Sequence, residues 1–326
     1  MDYLRQSQRA ADWSTLATTC EIVVFDRPIA GAEAAEVLRL FDVICLLRER
    51  MPFPRELIEA LPNLRMLAVT GLYNRTLDVA AAAERGIVVS YTELRGPYRN
   101  ATAELTWALI FAVARHIPEE SQRMRSGGWQ TTVGITLMGR TLGLLGLGRQ
   151  ARRVLPIAKA LNMNVIAWSQ NLKAETAVEA GVNRVEKDEL FATSDVLSVH
   201  LVLGERTRGI VGARELALMK RSAILVNTSR GPLIDERALV ETLHARRIAG
   251  AGLDVYAHEP LPDDHPLRSL PNVVLMPHQG HHVEEFYEVA YRDTVENITA
   301  FFAGRPIRIL SPERMPVIFC RSSPER

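Results

Sequence analysis

A cation, a carboxylate and an imidazole follow three successive apolar runs in the last third of the chain. They are Arg230, Glu259 and His278. A guanidinium binds a carboxylate through two donors, and an imidazole gives or takes the proton of a carbonyl oxygen. A neighbouring glutamate would orient the imidazole and favour its protonated form. These residue types predict the reduction of a 2-oxo acid; the alternative is a buried structural ion pair between Arg230 and Glu259.

A glycine-rich turn lies between an apolar run and a segment with a helical pattern. It reads Gly146-Leu-Gly148-Arg149-Gln150-Ala151. Such a turn lets the backbone approach a pyrophosphate, and the amides at the helix N-terminus point at the anion. Ala151 replaces the third glycine, which the pattern allows. We predict a dinucleotide site that includes Gly146, Gly148, Arg149 and Gln150.

The end of the next predicted strand bears on which dinucleotide is bound. It reads Trp168-Ser169-Gln170-Asn171, where an NAD-selective site usually has an acidic residue on the ribose hydroxyls. Without that charge a 2′-phosphate is not repelled, and Lys173 or Arg149 could reach it. We expect Ser169 and Gln170 to contact the ribose and leave NAD and NADP both open, with a slight preference for NADP.

Short apolar runs alternate with amphipathic segments after the glycine turn. This alternation predicts a parallel sheet with helices on both faces, a Rossmann-type doubly wound α/β fold. In such a sheet, ligands bind at the carboxyl ends of the strands. The predicted strands are 164–169, 196–202, 223–228, 251–255 and 273–276.

The first hundred residues predict a second, smaller α/β unit. Its apolar runs are 21–25, 43–47, 64–69 and 86–90. A chain of 326 residues with 47% hydrophobic residues exceeds one ordinary core, so we expect two domains. Helical patterns at 100–122 and 283–303 would cross between them. We therefore predict a substrate domain at 1–100 and 283–326, a dinucleotide-binding domain at 101–282, and a reaction site in the cleft between them.

Composition limits the possible partners. With 39 basic and 38 acidic residues, the chain has no charge excess for nucleic acid or an anionic membrane. Cys20, Cys45 and Cys320 are few and widely spaced, which favours a reducing compartment. No run approaches the roughly 20 apolar residues of a membrane span, and the N-terminus lacks a signal-peptide core. We predict a cytoplasmic protein.

The histidines near His278 have several possible roles. His281 and His282 are expected at the pocket rim or on the surface, because no spaced cysteine or carboxylate signature accompanies them. We therefore predict no metal site. His200, inside an apolar run, is expected to be a satisfied core histidine.

Four strings together resemble the D-2-hydroxyacid dehydrogenase family, which includes phosphoglycerate dehydrogenase, glyoxylate reductase and formate dehydrogenase. They are LGLLGLGRQA, LVNTSRGPLIDE, GAGLDVYAHEPL and NVVLMPH. The resemblance implies that Arg230, Glu259 and His278 are the catalytic residues. It also implies that Asp254 lies near the nicotinamide and that Thr228 belongs to the cofactor site.

The resemblance extends through the N-terminal unit. It implies a flavodoxin-like substrate domain in which Leu72, Tyr73 and Asn74 receive the substrate carboxylate. The resemblance also implies a homodimer, whose interface would contain the long helix predicted at 100–122 and the segment around Trp129. The chain departs from the pattern in its polar start at 1–9, where relatives have a strand. In the pocket segment 92–100, arginines stand where relatives have small residues.

The sequence therefore favours an oxidoreductase that reversibly reduces a small-molecule 2-oxo acid to a D-2-hydroxy acid with NAD(P)H. The altered start and pocket segments keep one alternative open. In that alternative the chain is a dinucleotide-binding sensor or interaction protein with little dehydrogenase activity.

Overall fold

The computed structural model describes residues 2–29, 31–93 and 95–314. Cys320 lies outside these residues. The chain divides into two compact units, the first built from both chain ends, Met1–Arg99 and His282–Arg326, and the second from Asn100–His281. The assignment of substrate to the first unit and dinucleotide to the second stays a prediction.

The first unit contains a parallel sheet of three strands in the order β1-β2-β3. The central strand is buried along its whole length, as expected for a strand covered on both faces. The strands are Val43–Leu46 (β1), Met66–Val69 (β2) and Val88–Tyr91 (β3). The helices are Ser7–Ala10 (α1), Ser14–Ala17 (α2), Gly31–Leu38 (α3), Arg55–Glu59 (α4), Val79–Glu84 (α5) and, after the second unit, Glu284–Phe302 (α13).

The strand predicted at 21–25 does not form, so that prediction is wrong. The segment belongs to no sheet, and its one backbone hydrogen bond is accepted by the Phe25 carbonyl from Asp2. A cavity of about 560 Å³ is lined by this segment and by β1. Ile22 and Val23 are accordingly 38% and 46% exposed. A strand needs a neighbouring strand close enough for backbone hydrogen bonds. β1 is the outermost strand of its sheet, but the cavity lies between its free edge and residues 21–25.

The second unit contains a parallel sheet of seven strands in the order β10-β9-β8-β7-β4-β5-β6. The chain enters at β4, builds outward through β5 and β6, then returns to the other side of β4 with β7. This confirms the predicted doubly wound, Rossmann-type sheet, whose switch point lies between β4 and β7. The strands are Thr141–Leu145 (β4), Asn164–Trp168 (β5), Asn183–Arg184 (β6), Val196–Val199 (β7), Ile224–Asn227 (β8), Gly250–Leu253 (β9) and Val273–Leu275 (β10).

Helices cover both faces of this sheet. One apolar core holds Trp107 and Val154 against one face, and a second holds Phe191 and Leu239 against the other. The helices are Ala101–Ala114 (α6), Ile117–Arg125 (α7), Arg149–Ala160 (α8), Ala174–Glu179 (α9), Lys187–Thr193 (α10), Ala213–Leu218 (α11) and Glu236–His244 (α12).

The helix predicted at 100–122 is two helices. Between α6 and α7, His116 adopts a left-handed conformation with φ of 52°, and Pro118 lies in the first turn of α7. Proline has no N–H and is favoured at a helix start rather than inside one, which explains the break. No helix among the described residues is both long and apolar enough to cross a membrane.

Candidate active site

His278 and Glu259 form a short hydrogen-bonded pair in the second unit. His278 follows β10, and its Nδ1 lies 2.6 Å from Glu259 Oε2. The two side chains are 36% and 34% exposed, so solvent or a ligand can reach them. Because the carboxylate uses Nδ1, the other ring nitrogen, Nε2, is the atom that can exchange a proton with a bound molecule.

The electrostatics of the pair keep the glutamate ionised. Burial alone raises the pKa of Glu259. The hydrogen bond and charge of His278, the backbone N–H of Tyr256 and the charge of Arg230 outweigh burial and lower that pKa. Tyr256 N–H donates to Glu259 Oε1 at 3.0 Å, so both carboxylate oxygens are held. An ionised, fixed carboxylate can stabilise a protonated imidazole.

Arg230 is positioned by the turn that ends β8. Asn227 Nδ2 donates to the Arg230 carbonyl at 3.0 Å, and Asn227 Oδ1 accepts the N–H of Ser229 at 3.0 Å. Ser229 Oγ in turn donates to the Leu201 carbonyl at 2.6 Å. A Cβ on the next residue, Gly231, would collide with the backbone of Tyr256. Arg230 is half-buried on this rigid turn, and its charge acts on Glu259.

Asp254, at the end of β9, holds the segment that carries His278. Its carboxylate accepts the N–H of Gln279 at 2.6 Å and of Gly280 at 2.9 Å, and its carbonyl accepts the N–H of His278 at 2.9 Å. The side chain is almost fully buried, and burial raises the pKa of Asp254 to about 6, against the lowering effect of these N–H donors and of His278. The three bonds explain how His278 is held at a φ of 54°.

Thr228 is joined to the same segment through hydroxyl groups of α6. Thr228 Oγ1 lies 2.8 Å from Thr106 Oγ1, and Thr106 Oγ1 also donates to the Thr102 carbonyl. Thr102 Oγ1 donates to the Gly280 carbonyl at 2.8 Å. This chain of contacts, like the bonds of Asp254, joins residues far apart in sequence, and no local signal predicted it.

The glycine turn fits a dinucleotide pyrophosphate. Gly146 has a φ of 104° and packs against the backbone of His200, whereas a Cβ on Gly148 would meet open space. No side chain caps the N-terminus of α8, so its first N–H groups are available to an anion. Gln150 Oε1 is buried there without a hydrogen-bond partner among the described residues.

Ser169 and Gln170 lie where the ribose was predicted, directly after β5. Ser169 is half-buried, and Gln170, Asn171 and Lys173 are exposed. The end of β5 therefore presents hydroxyl, amide and ammonium groups, without a carboxylate among residues 169–173.

The predicted carboxylate-binding loop belongs to the first unit. Asn74 is fully buried: its Nδ2 donates to the Arg48 carbonyl at 2.9 Å, and its Oδ1 accepts the N–H and hydroxyl of Thr76. Among the described residues, no acceptor is bonded to the backbone N–H of Leu72, Tyr73 or Asn74. A rigid loop with available backbone donors can receive an anion.

The other histidines take separate places. The His281 ring packs edge-on against His278, with ring centroids 5.9 Å apart. His200 is half-buried; its Nε2 lies 2.9 Å from Ser198 Oγ, and burial lowers the pKa of His200 to about 4. No cluster of three metal-ligating side chains occurs in the described part of the chain.

Comparison with known proteins relates this geometry to a family. A sequence model described as "D-isomer specific 2-hydroxyacid dehydrogenase, NAD binding domain" matches residues 107–280. A glyoxylate reductase of Aeropyrum pernix is 40% identical over 259 residues, which are 77% of this chain and 77% of the relative. The chain belongs to the D-isomer specific 2-hydroxyacid dehydrogenase family. It is an NAD(P)-dependent oxidoreductase acting on CH–OH donors, as the motifs predicted.

Other members of the family support the same conclusion. A D-3-phosphoglycerate dehydrogenase of Methanocaldococcus jannaschii is 38% identical over 83% of this dehydrogenase, which spans only 52% of that relative. A crystal structure of a phosphoglycerate oxidoreductase from Vibrio cholerae superimposes with a TM-score of 0.85 at 34% identity, covering 93% of this chain and 97% of the other. The fold prediction is therefore confirmed in both sequence and structure.

Proposed function

We propose that this dehydrogenase reduces a 2-oxo acid to a D-2-hydroxy acid, reversibly, with Arg230, His278 and Glu259 as its catalytic residues. The observation that carries the proposal is the 2.6 Å His278–Glu259 bond within reach of the Arg230 charge. Bound NAD(P)H supplies the hydride that this chemistry requires.

Each of the three residues has a role that follows from its surroundings. Arg230 binds the substrate carboxylate and carbonyl through its paired donors. His278 Nε2 donates a proton to the C2 oxygen as it becomes an alkoxide, and takes that proton back in the reverse reaction. Glu259 stays ionised and stabilises the imidazolium through Nδ1.

Substrate and cofactor use the two loops described above. The N–H groups of Leu72, Tyr73 and Asn74 bind the substrate carboxylate. The turn at Gly146 and Gly148, with the first turn of α8 at Arg149 and Gln150, binds the pyrophosphate. Asp254 and Thr228 lie at the nicotinamide end of the cofactor site. Substrate binding is thus assigned to the first unit and dinucleotide binding to the second.

NAD and NADP are both compatible with this proposal, with a slight preference for NADP, since no carboxylate among residues 169–173 would repel a 2′-phosphate. The variant Ser169→Asp should shift the ratio of kcat/KM values toward NAD by repelling that phosphate. The exposed Asn171→Asp variant, two residues further on, adds the same charge as a comparison. An unchanged cofactor ratio in Ser169→Asp would refute the preference.

The proposal is tested by following loss of reduced-nicotinamide absorbance with NADH and NADPH against glyoxylate, hydroxypyruvate, pyruvate and phenylpyruvate. Chiral analysis of the product should give the D-isomer. Turnover of none of these by protein shown to be folded and to bind the dinucleotide would contradict the proposal and favour a sensor.

The cell location and assembly are also proposed. Cys20 and Cys45 carry no disulfide, which agrees with a reducing, cytoplasmic environment.

A homodimer is supported by exposed apolar side chains in the segment after α7, where Trp129 is 69% and Val133 is 92% exposed. Apolar groups exposed to this extent mark surfaces that associate.

A further inference from the structure

A guanidinium group with no carboxylate partner among the described residues follows the loop that we propose binds the substrate carboxylate. Arg75 is half-buried and contacts only a neutral group: its Nη2 donates to Tyr73 Oη at 3.5 Å, and its Cζ lies 5.5 Å from the Tyr73 ring centre. Its Nε is buried and bonds to no acceptor among the described residues. Arg48 is half-buried as well, and a Cβ on Gly71 would collide with its guanidinium.

This arrangement differs from that of Arg95, which lies in the pocket segment 92–100 noted in the sequence. Arg95 pairs with Asp293 at 2.7 Å and with Glu93 at 3.2 Å, so its charge is neutralised within the protein. No ion pair of this kind involves Arg75 or Arg48 in the described part of the chain. Of these three arginines, Arg75 and Arg48 therefore offer their positive charge to a ligand, and Arg95 does not.

A partly buried charge without a counter-charge has lost hydration and has no ion pair in exchange. The guanidinium fork matches a carboxylate or a phosphate through two parallel donors. The backbone N–H groups of Leu72, Tyr73 and Asn74 already serve the carboxylate common to all 2-oxo acids. The Arg75 fork is then left for a different group.

Resting on the proposed function, we propose that the preferred substrate carries a second anionic group, a carboxylate or a phosphate, and that Arg75 binds it. Stacking on Tyr73 restricts the guanidinium, so that less freedom is lost when the anion binds. Arg48 adds a second positive charge beside Gly71 and strengthens the attraction. Arg75 is thus a specificity-determining residue.

The test compares kcat/KM for 2-oxoglutarate and phosphohydroxypyruvate with kcat/KM for the singly charged 2-oxovalerate and hydroxypyruvate. We expect the wild-type enzyme to prefer a doubly anionic member, and the preferred member identifies the group as carboxylate or phosphate. In Arg75→Gln that preference should fall roughly 10- to 100-fold, the loss expected for one charge-assisted hydrogen bond. Turnover of the singly charged acids should change less than about threefold, within the scatter of a surface change.

Two further variants isolate the cause. Arg75→Lys keeps the charge without the fork and should retain part of the preference. Arg39→Gln removes a charge at an exposed site and should leave the preference unchanged. Equal losses for both substrate classes in Arg75→Gln, or a wild-type preference for singly charged acids, would overturn this inference while leaving the proposed function intact. Turnover of no 2-oxo acid would instead overturn the proposed function.

Discussion

At the scale of residues, the site of the second unit depends on which groups hold His278. Glu259 accepts from its ring and Asp254 accepts from the backbone around it. Glu259 therefore sets the tautomer of the His278 ring, and Asp254 sets the position of the backbone that carries it. The sequence identified both residues but assigned Asp254 only to the cofactor.

His278→Ala should reduce kcat by about 10² to 10⁴, the usual contribution of a general acid or base. Cofactor affinity should stay nearly unchanged, because the proposed pyrophosphate site lies at the end of a different strand, β4. Steady-state kinetics and dinucleotide titration measure the two effects separately. His244→Ala, at an exposed position, is the matched control. Parallel losses of turnover and cofactor binding in His278→Ala would contradict its role.

The raised pKa of Asp254 predicts how stability depends on pH. Burial raises it from 3.8 to about 6, so between these values the folded state binds a proton that the unfolded state has lost. The contribution of Asp254 to stability is then full below pH 3.8 and is lost as pH rises through about 6. The difference in unfolding free energy between wild type and Asp254→Asn should therefore shrink by roughly 2 kcal/mol from pH 4 to pH 7.

Urea unfolding of the cofactor-free protein measures this dependence. Asp195 offers a control of opposite sign: burial alone raises its pKa, but the N–H of Thr141 and the Lys220 ammonium lower it overall. The Asp195 contribution should be present above pH 3.8 and be lost as pH falls through its lower folded pKa. If the stability contributions of Asp254 and Asp195 changed with pH in the same direction, the Asp254 environment would not be as described.

At the scale of elements, the turn between β4 and α8 shows two glycines with different tasks. Gly146 needs its left-handed φ of 104°, and a Cβ there would lie 3.0 Å from the His200 carbonyl carbon. Gly148 has an ordinary φ of −83°, and nothing lies within 4 Å of its potential Cβ. The fold requires the first glycine, whereas the second leaves open the space that the pyrophosphate would fill under the proposed function.

Gly148→Ala should therefore leave the unfolding free energy within about 0.5 kcal/mol of wild type and weaken dinucleotide binding at least about tenfold. Gly146→Ala should lose about 1 to 3 kcal/mol of stability through strain alone. Thermal unfolding with and without dinucleotide separates the two effects. Undiminished binding by a well-folded Gly148→Ala would argue against the pyrophosphate site.

At the scale of the whole molecule, the exposed segment after α7 predicts association. It lines an open cavity of about 810 Å³ with the end of α6, and it presents Trp129 and Val133 to solvent. Sedimentation should give twice the chain mass of 36.4 kDa. The double variant Trp129→Asp/Val133→Asp should give the single-chain mass, because a buried charge at an apolar contact is costly.

Val178→Asp is the control for this measurement, since Val178 is 74% exposed on a different helix, α9. It should leave the mass at that of the dimer. A wild-type protein that sediments as a single chain would contradict the dimer, as would a double variant that still sediments at twice the chain mass.

The sequence by itself determined the local features of this dehydrogenase. Apolar runs between helical patterns were enough to predict the parallel sheet and six of its seven strands, since continuous apolar strands of this length are buried on both faces. The seventh, β6, is a two-residue exposed strand that no apolar run marks. The glycine turn and the strand-end residues Arg230, Glu259 and His278 were identified because their spacing follows the strands. Family strings extended the prediction to Leu72–Asn74.

Only the tertiary structure decided the features that depend on distant partners. The run at 21–25 has the composition of a strand, yet a cavity lies between it and the free edge of β1, so it stays outside the sheet. Arg95 and Arg75 look alike in sequence, but only Arg95 meets a carboxylate. The bonds from Asp254 to the His278 segment join positions about 25 residues apart. Composition and periodicity report the propensity of a residue, whereas packing in three dimensions determines its partner and its function.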